Sequence, residues 1–258
     1  MKRGVKRALI IVAAILVVLV AVPVVCIASA FVGTSAIQDG VELGSAVRLV
    51  KDGFVTIGVI DLGGGKVALI DAGIDKQGKA ILAELGRRKL GPEAVQAVLL
   101  THGHGDHTAG CHLFPNALVF ALAADVPLAE GHVGSNSPMG RFMGARPTGL
   151  EGVRSLSDGE TMTLGGRKIR VFSIPGHTPG SAAYLVDGVL FLGDSAGSSK
   201  DGKVLAAPWA FSEDQAQNRS SLKALAGRLQ PEAAGITALV PAHSGVLRGL
   251  DPLLRFSE

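Results

Sequence analysis

A histidine-rich stretch directly after a buried strand sets the strongest constraint on what this chain can fold into. The apolar run VQAVLL (95–100) predicts a strand, and THGHGDHTAG (101–110) follows it with glycines that permit tight backbone curvature. Four ligand-type residues fall within six positions: His102, His104, Asp106 and His107. Neutral imidazoles and a carboxylate suit zinc, and also iron or manganese. The stretch therefore predicts a metal-binding loop at a strand end.

Three later predicted strands also end in a ligand-type residue: His177 in IPGHTPG after KIRVFS, Asp194 in GDS after VLFL, and His243 in PAHSG after ITALV. Ligand sites gather at strand ends in layered folds, so we expect these side chains to meet the histidine-rich stretch. His102 and His104 are two residues apart and share one face of an extended chain. The adjacent Asp106 and His107 cannot easily point the same way, so two metals are a simpler arrangement than one.

Short apolar runs and amphipathic segments indicate an α/β protein with one large domain, residues 34–258. Predicted strands lie at 46–50, 54–60, 66–71, 95–100 and 117–122, and then at TMTL, KIRVFSI, SAAYLV, VLFLG and ITALVPA. Predicted helices lie at 76–89 and 213–229, the second with Ser212 as its N-cap. Residues 130–150 are predicted to be a long loop. Helices covering a pair of packed sheets are the natural arrangement of such elements, and we expect an αββα sandwich.

Residues 1–33 are predicted to form a separate hydrophobic helix. The leader MKRGVKR is basic, and residues 8–32 carry no charge. This run reaches the ~20 residues needed to span a bilayer, which favours a transmembrane anchor. The small residues Ala28, Ser29 and Ala30 also fit a secretory signal cleaved after Ala30. Both hypotheses place the body outside the cytoplasm, either membrane-anchored through residues 8–32 or secreted or periplasmic.

The net charge of +3 comes from the leader, where four of the 25 basic residues lie: Lys2, Arg3, Lys6 and Arg7. Without these four, 21 basic residues face 22 acidic ones. Nucleic-acid-binding domains usually carry a basic patch, so we expect no nucleic-acid partner, and nothing in the sequence indicates a protein partner.

Outside the leader, Cys111 has no second cysteine to pair with. This argues against a disulfide framework and favours a small buried thiol.

The order of these motifs resembles that of the metallo-β-lactamase superfamily. HxHxDH (102–107) is followed by a histidine in PGHTPG, an aspartate in GD and a late histidine, and LIDAG places Asp71 at a strand end before them. The resemblance covers about residues 40–245 and implies an αββα fold with two metal ions at one edge. The implied ligands are His102, His104 and His177 for the first metal, Asp106, His107 and His243 for the second, and Asp194 as the bridge.

The resemblance also implies a small-molecule hydrolase. Two Zn²⁺ ions, with iron or manganese as alternatives, lie ~3.5–4 Å apart in such sites and lower the pKa of a shared water towards ~7. The resulting hydroxide would cleave a small ester, thioester, lactone or lactam. Two candidate catalytic residues accompany it: Asp106 would hold the hydroxide for attack, and Asp71 would orient a ligand through hydrogen bonds.

Other activities remain open on the same residues. A persulfide dioxygenase-like oxidoreductase would hold one iron on His102, His177 and Asp194. A zinc β-lactamase or a phosphodiesterase of the same superfamily would cleave a lactam or a phosphodiester. A non-catalytic scaffold has no need of seven ligand positions. Glyoxalase II enzymes carry a C-terminal helical region, whereas this chain ends soon after His243, so we do not expect glutathione thioesters as substrates.

Four further residues receive an expectation from their surroundings. His132, in the glycine-rich loop, and Trp209 are candidate pocket-lining residues. Tyr184 falls on a predicted strand, where a core role is expected. His112, just beyond the histidine-rich stretch, is expected to be structural.

Overall fold

The apolar runs of the sequence form two main β-sheets. The computed structural model describes residues 3–257, and for nine residues within its helices it describes the backbone alone: Arg3, Val5, Ala8, Pro23, Cys26, Ile27, Ser29, Ala30 and Met143. The first sheet contains seven strands in chain order: β1 (Glu42–Leu43), β2 (Val47–Asp52), β3 (Val55–Gly63), β4 (Lys66–Ile70), β5 (Val95–Leu99), β6 (Leu118–Leu122) and β7 (Arg154–Leu156). Neighbouring strands are antiparallel from β1 to β4 and parallel from β4 to β7.

The second sheet contains six strands from the second half of the chain. They are β8 (Thr161–Leu164), β9 (Arg167–Ser173), β10 (Ala182–Val186), β11 (Val189–Gly193), β14 (Ala238–Pro241) and β15 (Leu247–Arg248). Their spatial order is β15-β14-β11-β10-β9-β8, and only the β11–β14 pair is parallel. A separate hairpin consists of β12 (Ala196–Ser198) and β13 (Val204–Ala206).

In the part of the chain that the structure describes, seven α-helices flank or precede the sheets: α1 (Arg3–Phe31), α2 (Lys79–Arg87), α3 (Gly105–Thr108), α4 (Val126–Ala129), α5 (Gly140–Met143), α6 (Gln215–Leu229) and α7 (Asp251–Leu254). Helix α2 buries Ile81 and Leu85 against the outer face of the first sheet. Helix α6 buries Leu222 and Leu229 against the outer face of the second. The expected αββα arrangement is confirmed, because each sheet has a helix layer on the face that turns away from the other sheet.

The core between the two sheets is apolar and closed. Buried side chains of both sheets meet there, among them Ile60 and Leu99 from the first and Val171 and Phe191 from the second. Tyr184 on β10 is fully buried in this layer, and its hydroxyl donates a hydrogen bond of 2.8 Å to the Leu100 carbonyl oxygen. Its predicted core role is confirmed. This bond also ties the second sheet to the end of β5, where the histidine-rich stretch begins.

Two predicted helix starts are wrong. Helix α2 begins at Lys79 rather than at residue 76, because Gly78 adopts a left-handed conformation (φ +59°) that does not continue a helix. Helix α6 is capped by Asp214, whose carboxylate accepts a hydrogen bond of 2.8 Å from the Gln217 backbone N–H, and not by Ser212. The Ser212 hydroxyl instead donates to the Pro208 carbonyl oxygen at 2.9 Å.

The prediction of a transmembrane helix is wrong. Among residues 3–257, none of the helices combines the length and the apolar character that crossing a bilayer requires. Helix α1 is nevertheless present over Arg3–Phe31. Met1, Lys2 and the side chains of Ser29 and Ala30 lie outside the described residues. Cleavage after Ala30, a location outside the cytoplasm and the division at residues 33 and 34 therefore stay predictions.

Candidate metal centre

Five loops bring ligand-type residues to one edge of the sandwich. Asp71 follows β4, residues 101–107 follow β5, and His177 comes four residues after β9. The parallel pairing of β11 with β14 places Gly193 opposite Pro241. Since Asp194 and His243 come just after these paired residues, both reach the same edge. A backbone hydrogen bond of 2.8 Å from Ala182 to the Thr101 carbonyl joins the two sheets there.

Three histidines form the first ligand group: His102, His104 and His177. Their facing nitrogens are close together, with 2.9 Å from His102 Nε2 to His104 Nδ1, 3.1 Å from His177 Nε2 to His104 Nδ1, and 3.3 Å between the Nε2 atoms of His102 and His177. Zinc–nitrogen bonds of 2.0–2.1 Å in a tetrahedral site separate neighbouring nitrogens by about 3.3 Å. The spacing of this group therefore fits three ligands of one divalent ion.

Four residues form the second ligand group: Asp106, His107, Asp194 and His243. Asp194 Oδ1 lies 3.2 Å from His107 Nε2, and Asp194 Oδ2 lies 2.9 Å from His243 Nε2. Asp106 Oδ2 lies 3.3 Å from His243 Nε2 and 3.7 Å from His107 Nε2. These nitrogen and oxygen donors are of the types that zinc, iron and manganese accept.

Asp194 lies between the two groups. Besides its contacts in the second group, its Oδ2 atom lies 3.6 Å from His177 Nε2 and 4.0 Å from His102 Nε2. One carboxylate thus faces ligand nitrogens of both groups. This is the position that a ligand shared by two cations occupies.

Two unpartnered polar atoms test whether the donor set fits metal ions. Within residues 3–257, His107 Nε2 and Asp194 Oδ1 are buried side-chain atoms without a hydrogen-bond partner. Burying a polar atom unpaired is costly, and native structures rarely tolerate it. Both atoms belong to the second group and face each other. A divalent cation between them would satisfy both, so the residues present fit the ion.

Burial keeps the three-histidine group neutral. Removal from water lowers the pKa of His177 to about 3, lowers that of His104, and holds that of His102 well below its usual value. A neutral imidazole has the free lone pair that a metal ligand needs. The first group is therefore in its ligand form over the whole physiological range of pH.

Carboxylates reverse this effect in the second group. Burial opposes protonation of His243, but Asp194 and Asp106 outweigh it and raise its pKa to about 10. The pKa of His107 is likewise raised well above its usual value by Asp71, Asp194 and Asp106, against the effect of burial. Burial would raise the pKa of Asp106, but His107 and His243 outweigh this effect and lower it to about 2. The same carboxylates would stabilise a cation bound between these residues.

Asp71 supports the second group from behind. Its carboxylate accepts hydrogen bonds from the Thr101 backbone N–H at 2.7 Å and from the Thr101 hydroxyl at 2.8 Å, and it lies 2.8 Å from His107 Nδ1. With Nδ1 donating to this carboxylate, Nε2 of His107 is left to face Asp194. Asp71 itself has a backbone φ of +63°, a rare conformation for a residue other than glycine. The structure places it next to a candidate ligand and outside both ligand groups.

Asp125, which the sequence analysis missed, connects the two loops of the three-histidine group. Its buried carboxylate accepts hydrogen bonds from the backbone N–H of Gly103 (2.8 Å), the hydroxyl of Thr178 (2.8 Å) and the backbone N–H of Gly180 (2.7 Å). Gly103 lies between His102 and His104, and Thr178 follows His177. Asp125 precedes the short helix α4. An aspartate just before a helix indicates a local cap. The sequence around Asp125 therefore did not predict its hydrogen bonds to distant loops.

Glycine is required where Gly103 meets the neighbouring chain. A Cβ atom at this position would lie 2.5 Å from the Ala129 backbone nitrogen.

Two further contacts orient ligand rings from behind: His243 Nδ1 donates to the Phe54 carbonyl oxygen at 2.7 Å, and the Ser212 hydroxyl lies 3.3 Å from His177 Nδ1. Neither Phe54 nor Ser212 was predicted to have this role.

The remaining predicted residues are not members of either ligand group. His132 is exposed, and its Nδ1 lies 3.5 Å from a carboxylate oxygen of Glu130. Trp209 is 63% exposed on a 3₁₀ turn (Trp209–Phe211) that contacts α1. Pocket-lining roles for His132 and Trp209 stay predictions. Cys111 is buried as expected, and His112 Nδ1 donates to the Ala109 carbonyl oxygen.

Fold and site together define a layered α/β protein with two adjoining groups of metal-ligand residues. Comparison with known proteins gives the family. The Metallo-beta-lactamase superfamily model matches residues 50–243, and the chain belongs to this superfamily.

Relatives and solved structures agree with this assignment. A hydroxyacylglutathione hydrolase of Shewanella sp. (strain ANA-3) is 33% identical over 115 residues, which are 43% of this chain and 38% of that protein. The chain thus spans about two-fifths of the length of the curated relatives it matches. The Rm3 metallo-beta-lactamase structure matches with a TM-score of 0.62 and 25% identity, covering 81% of this chain and 79% of that one. A di-iron-bound form of TTHA1623 matches with a TM-score of 0.58 and 28% identity, covering 81% and 96%.

Superfamily membership and the candidate ligand residues together imply the use of divalent metal. The two ligand groups identify the part of the chain that would use divalent metal.

Proposed function

We propose that this protein is a dinuclear zinc hydrolase of small esters or thioesters, with lactones and lactams as further members of the substrate class. The observation that carries the proposal is the position of Asp194, whose carboxylate faces nitrogens of both ligand groups at 2.9–4.0 Å. A mononuclear iron site on His102, His177 and Asp194 would not use the other ligand-type residues of the second group. We therefore favour two ions over one.

The ions, when bound, supply Lewis acidity and activate water near neutral pH, which is the chemistry that hydrolysis requires. The chain contributes geometry and charge. His102, His104 and His177 are neutral donors held in place by burial. Asp71 fixes the ring of His107 so that its Nε2 atom faces the site. These side chains do not need to move for the reaction, which limits the reorganisation it costs.

Asp106 is the candidate for orienting the attacking water. Its side chain is 24% exposed, whereas that of Asp194 is only 9% exposed, so Asp106 is the carboxylate of the second group with more access to solvent. Its pKa is lowered to about 2 because His107 and His243 outweigh the effect of burial. At neutral pH it is a hydrogen-bond acceptor and can hold the proton of a water that faces the substrate carbonyl.

The names of relatives support the substrate class. The curated relatives are hydroxyacylglutathione hydrolases, and an acylglutathione is a thioester. A lactam belongs in the same class because Rm3, a solved structural neighbour, is a metallo-beta-lactamase. Zinc is proposed because histidine nitrogen and carboxylate oxygen are its common ligands in catalytic sites. Iron is the alternative, since TTHA1623 was solved with two irons.

Metal content and activity measured on one preparation test the proposal. We expect about two zinc ions per chain, and hydrolysis within a panel that contains an alkyl ester, an acylglutathione, a lactone, a lactam and a phosphodiester. Asp194→Ala should lower metal content and reduce kcat/KM by at least about 100-fold, beyond the 10–100-fold typical of residues that only support a ligand. Asp201→Ala, an exposed carboxylate on the β12–β13 turn, is the control.

Two results would contradict the proposal. One is a single redox-active iron per chain, with oxygen consumption on a persulfide and no hydrolysis. The other is an Asp194→Ala variant that keeps both its metal and its rate.

A further inference from the structure

Two phenylalanine rings pack on the outer ligand histidine of the second group. The ring of Phe54 lies 5.5 Å from that of His243, and the ring of Phe31 lies 6.1 Å from it in an edge-on arrangement. The two phenylalanines, which we call the phenylalanine pair, are 6.4 Å apart at an interplanar angle of 66°. These centroid distances are those of aromatic rings in direct contact.

The pair remains open to solvent although it packs on a ligand. Phe54 is 46% exposed and Phe31 is 39% exposed. Ordinary core aromatics of this protein, such as Phe172 and Tyr184, are at most 2% exposed. Exposed apolar rings beside a candidate active site are costly to hydrate and mark a place where an apolar group can bind.

Both rings are mounted on segments that are hydrogen-bonded to the body. Phe54 lies on the turn between β2 and β3, where its carbonyl accepts from His243 Nδ1 at 2.7 Å. Phe31 is the last residue of α1, and its carbonyl accepts from the Thr34 hydroxyl at 2.9 Å. Ser35 then donates its backbone N–H to the Ser198 carbonyl at 2.8 Å. The position of the pair beside His243 is therefore built into the fold.

Helix α1 also contacts the 3₁₀ turn Trp209–Phe211. Ser212, directly after this turn, has its hydroxyl 3.3 Å from His177 Nδ1 of the first ligand group. The helix that ends at Phe31 therefore packs on a segment that continues into the metal centre.

We infer that the phenylalanine pair forms a subsite for an uncharged hydrocarbon group next to the scissile bond. The inference rests on the proposed function and narrows its substrates to esters or thioesters that carry an aliphatic or aromatic group rather than a small or charged one. Burying one methylene on an apolar surface favours binding by about fourfold. Partly exposed rings give less, so we expect about a twofold gain for each added methylene.

Two substrate series test the subsite with the metal-loaded full chain. In one, the acyl group varies from acetyl through butyryl to octanoyl on a constant thiol; in the other, the thiol lengthens on a constant acetyl group. We expect kcat/KM to rise at least about tenfold along one series, mainly through KM. The ratio between long and short members should fall at least fivefold in Phe31→Ala and Phe54→Ala. Phe142→Ala, which removes an almost fully exposed ring on α5, should leave this ratio unchanged.

A binding measurement separates the subsite from the reaction. Calorimetry with ethanethiol and hexanethiol on the zinc-loaded protein should give at least about tenfold tighter binding of hexanethiol. This preference should be lost in Phe31→Ala and Phe54→Ala. The zinc content of both variants should stay at the wild-type level. Hydrolysis without chain-length dependence, or equal binding of the two thiols, would overturn the subsite and leave the proposed function intact. A retained hexanethiol preference without turnover of any ester or thioester would support the subsite and refute the proposed function.

Discussion

Asp125 and Gly103 are joined by a hydrogen bond of 2.8 Å from the Gly103 backbone N–H to the Asp125 carboxylate. Gly103 separates two of the three histidines of the first ligand group. The same carboxylate also accepts from Thr178, the neighbour of the third histidine. A buried aspartate that touches none of the candidate ligands therefore sets the distance between the loops that carry them.

Removing this carboxylate should weaken the first metal site. For Asp125→Ala we expect about 10–100-fold weaker binding of the first zinc ion, the usual effect of losing a residue that orients ligands. Asp125→Asn should lie between this variant and the wild type, because one side-chain oxygen still accepts. Competition with a chromophoric chelator measures the affinity, and Asp201→Asn is the exposed control. Wild-type affinity in a folded Asp125→Ala variant would show that the loops hold their spacing without it.

Asp71→Asn should impair the second metal site more than its small change in shape suggests. Asparagine tolerates the left-handed backbone at this position, so we expect the fold to survive. Its amide N–H₂ would, however, face His107 Nδ1 as a donor, and His107 would then carry its proton on Nε2, the atom that faces Asp194. We expect the second zinc ion to bind at least about 10-fold more weakly, with the first unaffected. Equal losses at both sites in the chelator competition would contradict the assignment of Asp71 to His107.

Divalent metal should stabilise the fold. Zinc at a free concentration of about 100 times Kd adds roughly 2.7 kcal/mol to the free energy of unfolding for each site. For a chain of this size, 2.7 kcal/mol at one site raises Tm by about 5–10 °C. Differential scanning fluorimetry with zinc and with a chelator measures the shift, and Asp194→Ala should show a smaller one. The same Tm under both conditions would be incompatible with metal held between the two groups.

Glu84 should make stability depend on acid. Its buried carboxylate accepts hydrogen bonds from Arg87 on α2, from Arg88 directly after this helix and from Arg48 on β2, at 2.7–3.1 Å. Burial alone would raise its pKa, but the arginines lower it from 4.5 to about 2. A lowered pKa in the folded state stabilises the protein above pH 4.5, and this stabilisation is lost as the pH falls from 4.5 towards 2. The shift corresponds to at most about 3 kcal/mol.

Glu84→Gln should therefore unfold at lower urea concentration than the wild type at pH 7, and the difference should shrink between pH 4.5 and 3. Glu151→Gln, at an exposed position, is the matched control. A wild-type advantage that stays constant over this range would mean that the carboxylate titrates normally.

The sequence predicted the parts of the fold that depend on local pattern. Apolar runs located the strands, and the ligand-type residues after them, such as Asp194 and His243, mark the edge at which the strands end. Asp125 could not be found in this way, because its partners Gly103 and Thr178 lie 22 and 53 residues away. The pairing of β5 with β6 brings Gly103 to Asp125, and the packing of the two sheets brings Thr178. Ser212 resembled a helix cap, but Asp214 lies two residues closer to the helix and is the cap.

The contact between the phenylalanine pair and His243 could not be predicted from the sequence either. Phe31 stands at the end of a run of apolar residues and Phe54 on a short turn. Nothing local relates either residue to His243. Their contact arises because Ser35, after α1, is hydrogen-bonded to Ser198 and Gly245, and His243, just before Gly245, is hydrogen-bonded to Phe54. Such contacts depend on the folded arrangement of distant segments.

The position of β14 between β11 and β15 has a consequence for how the protein matures. As the polypeptide leaves the ribosome, the three-histidine group is complete in sequence once His177 has emerged, but the second group waits for His243, which follows β14. The strand that fills the place between β11 and β15 thus also delivers the last ligand-type residue. Closure of the second sheet and completion of the second group are therefore a single event.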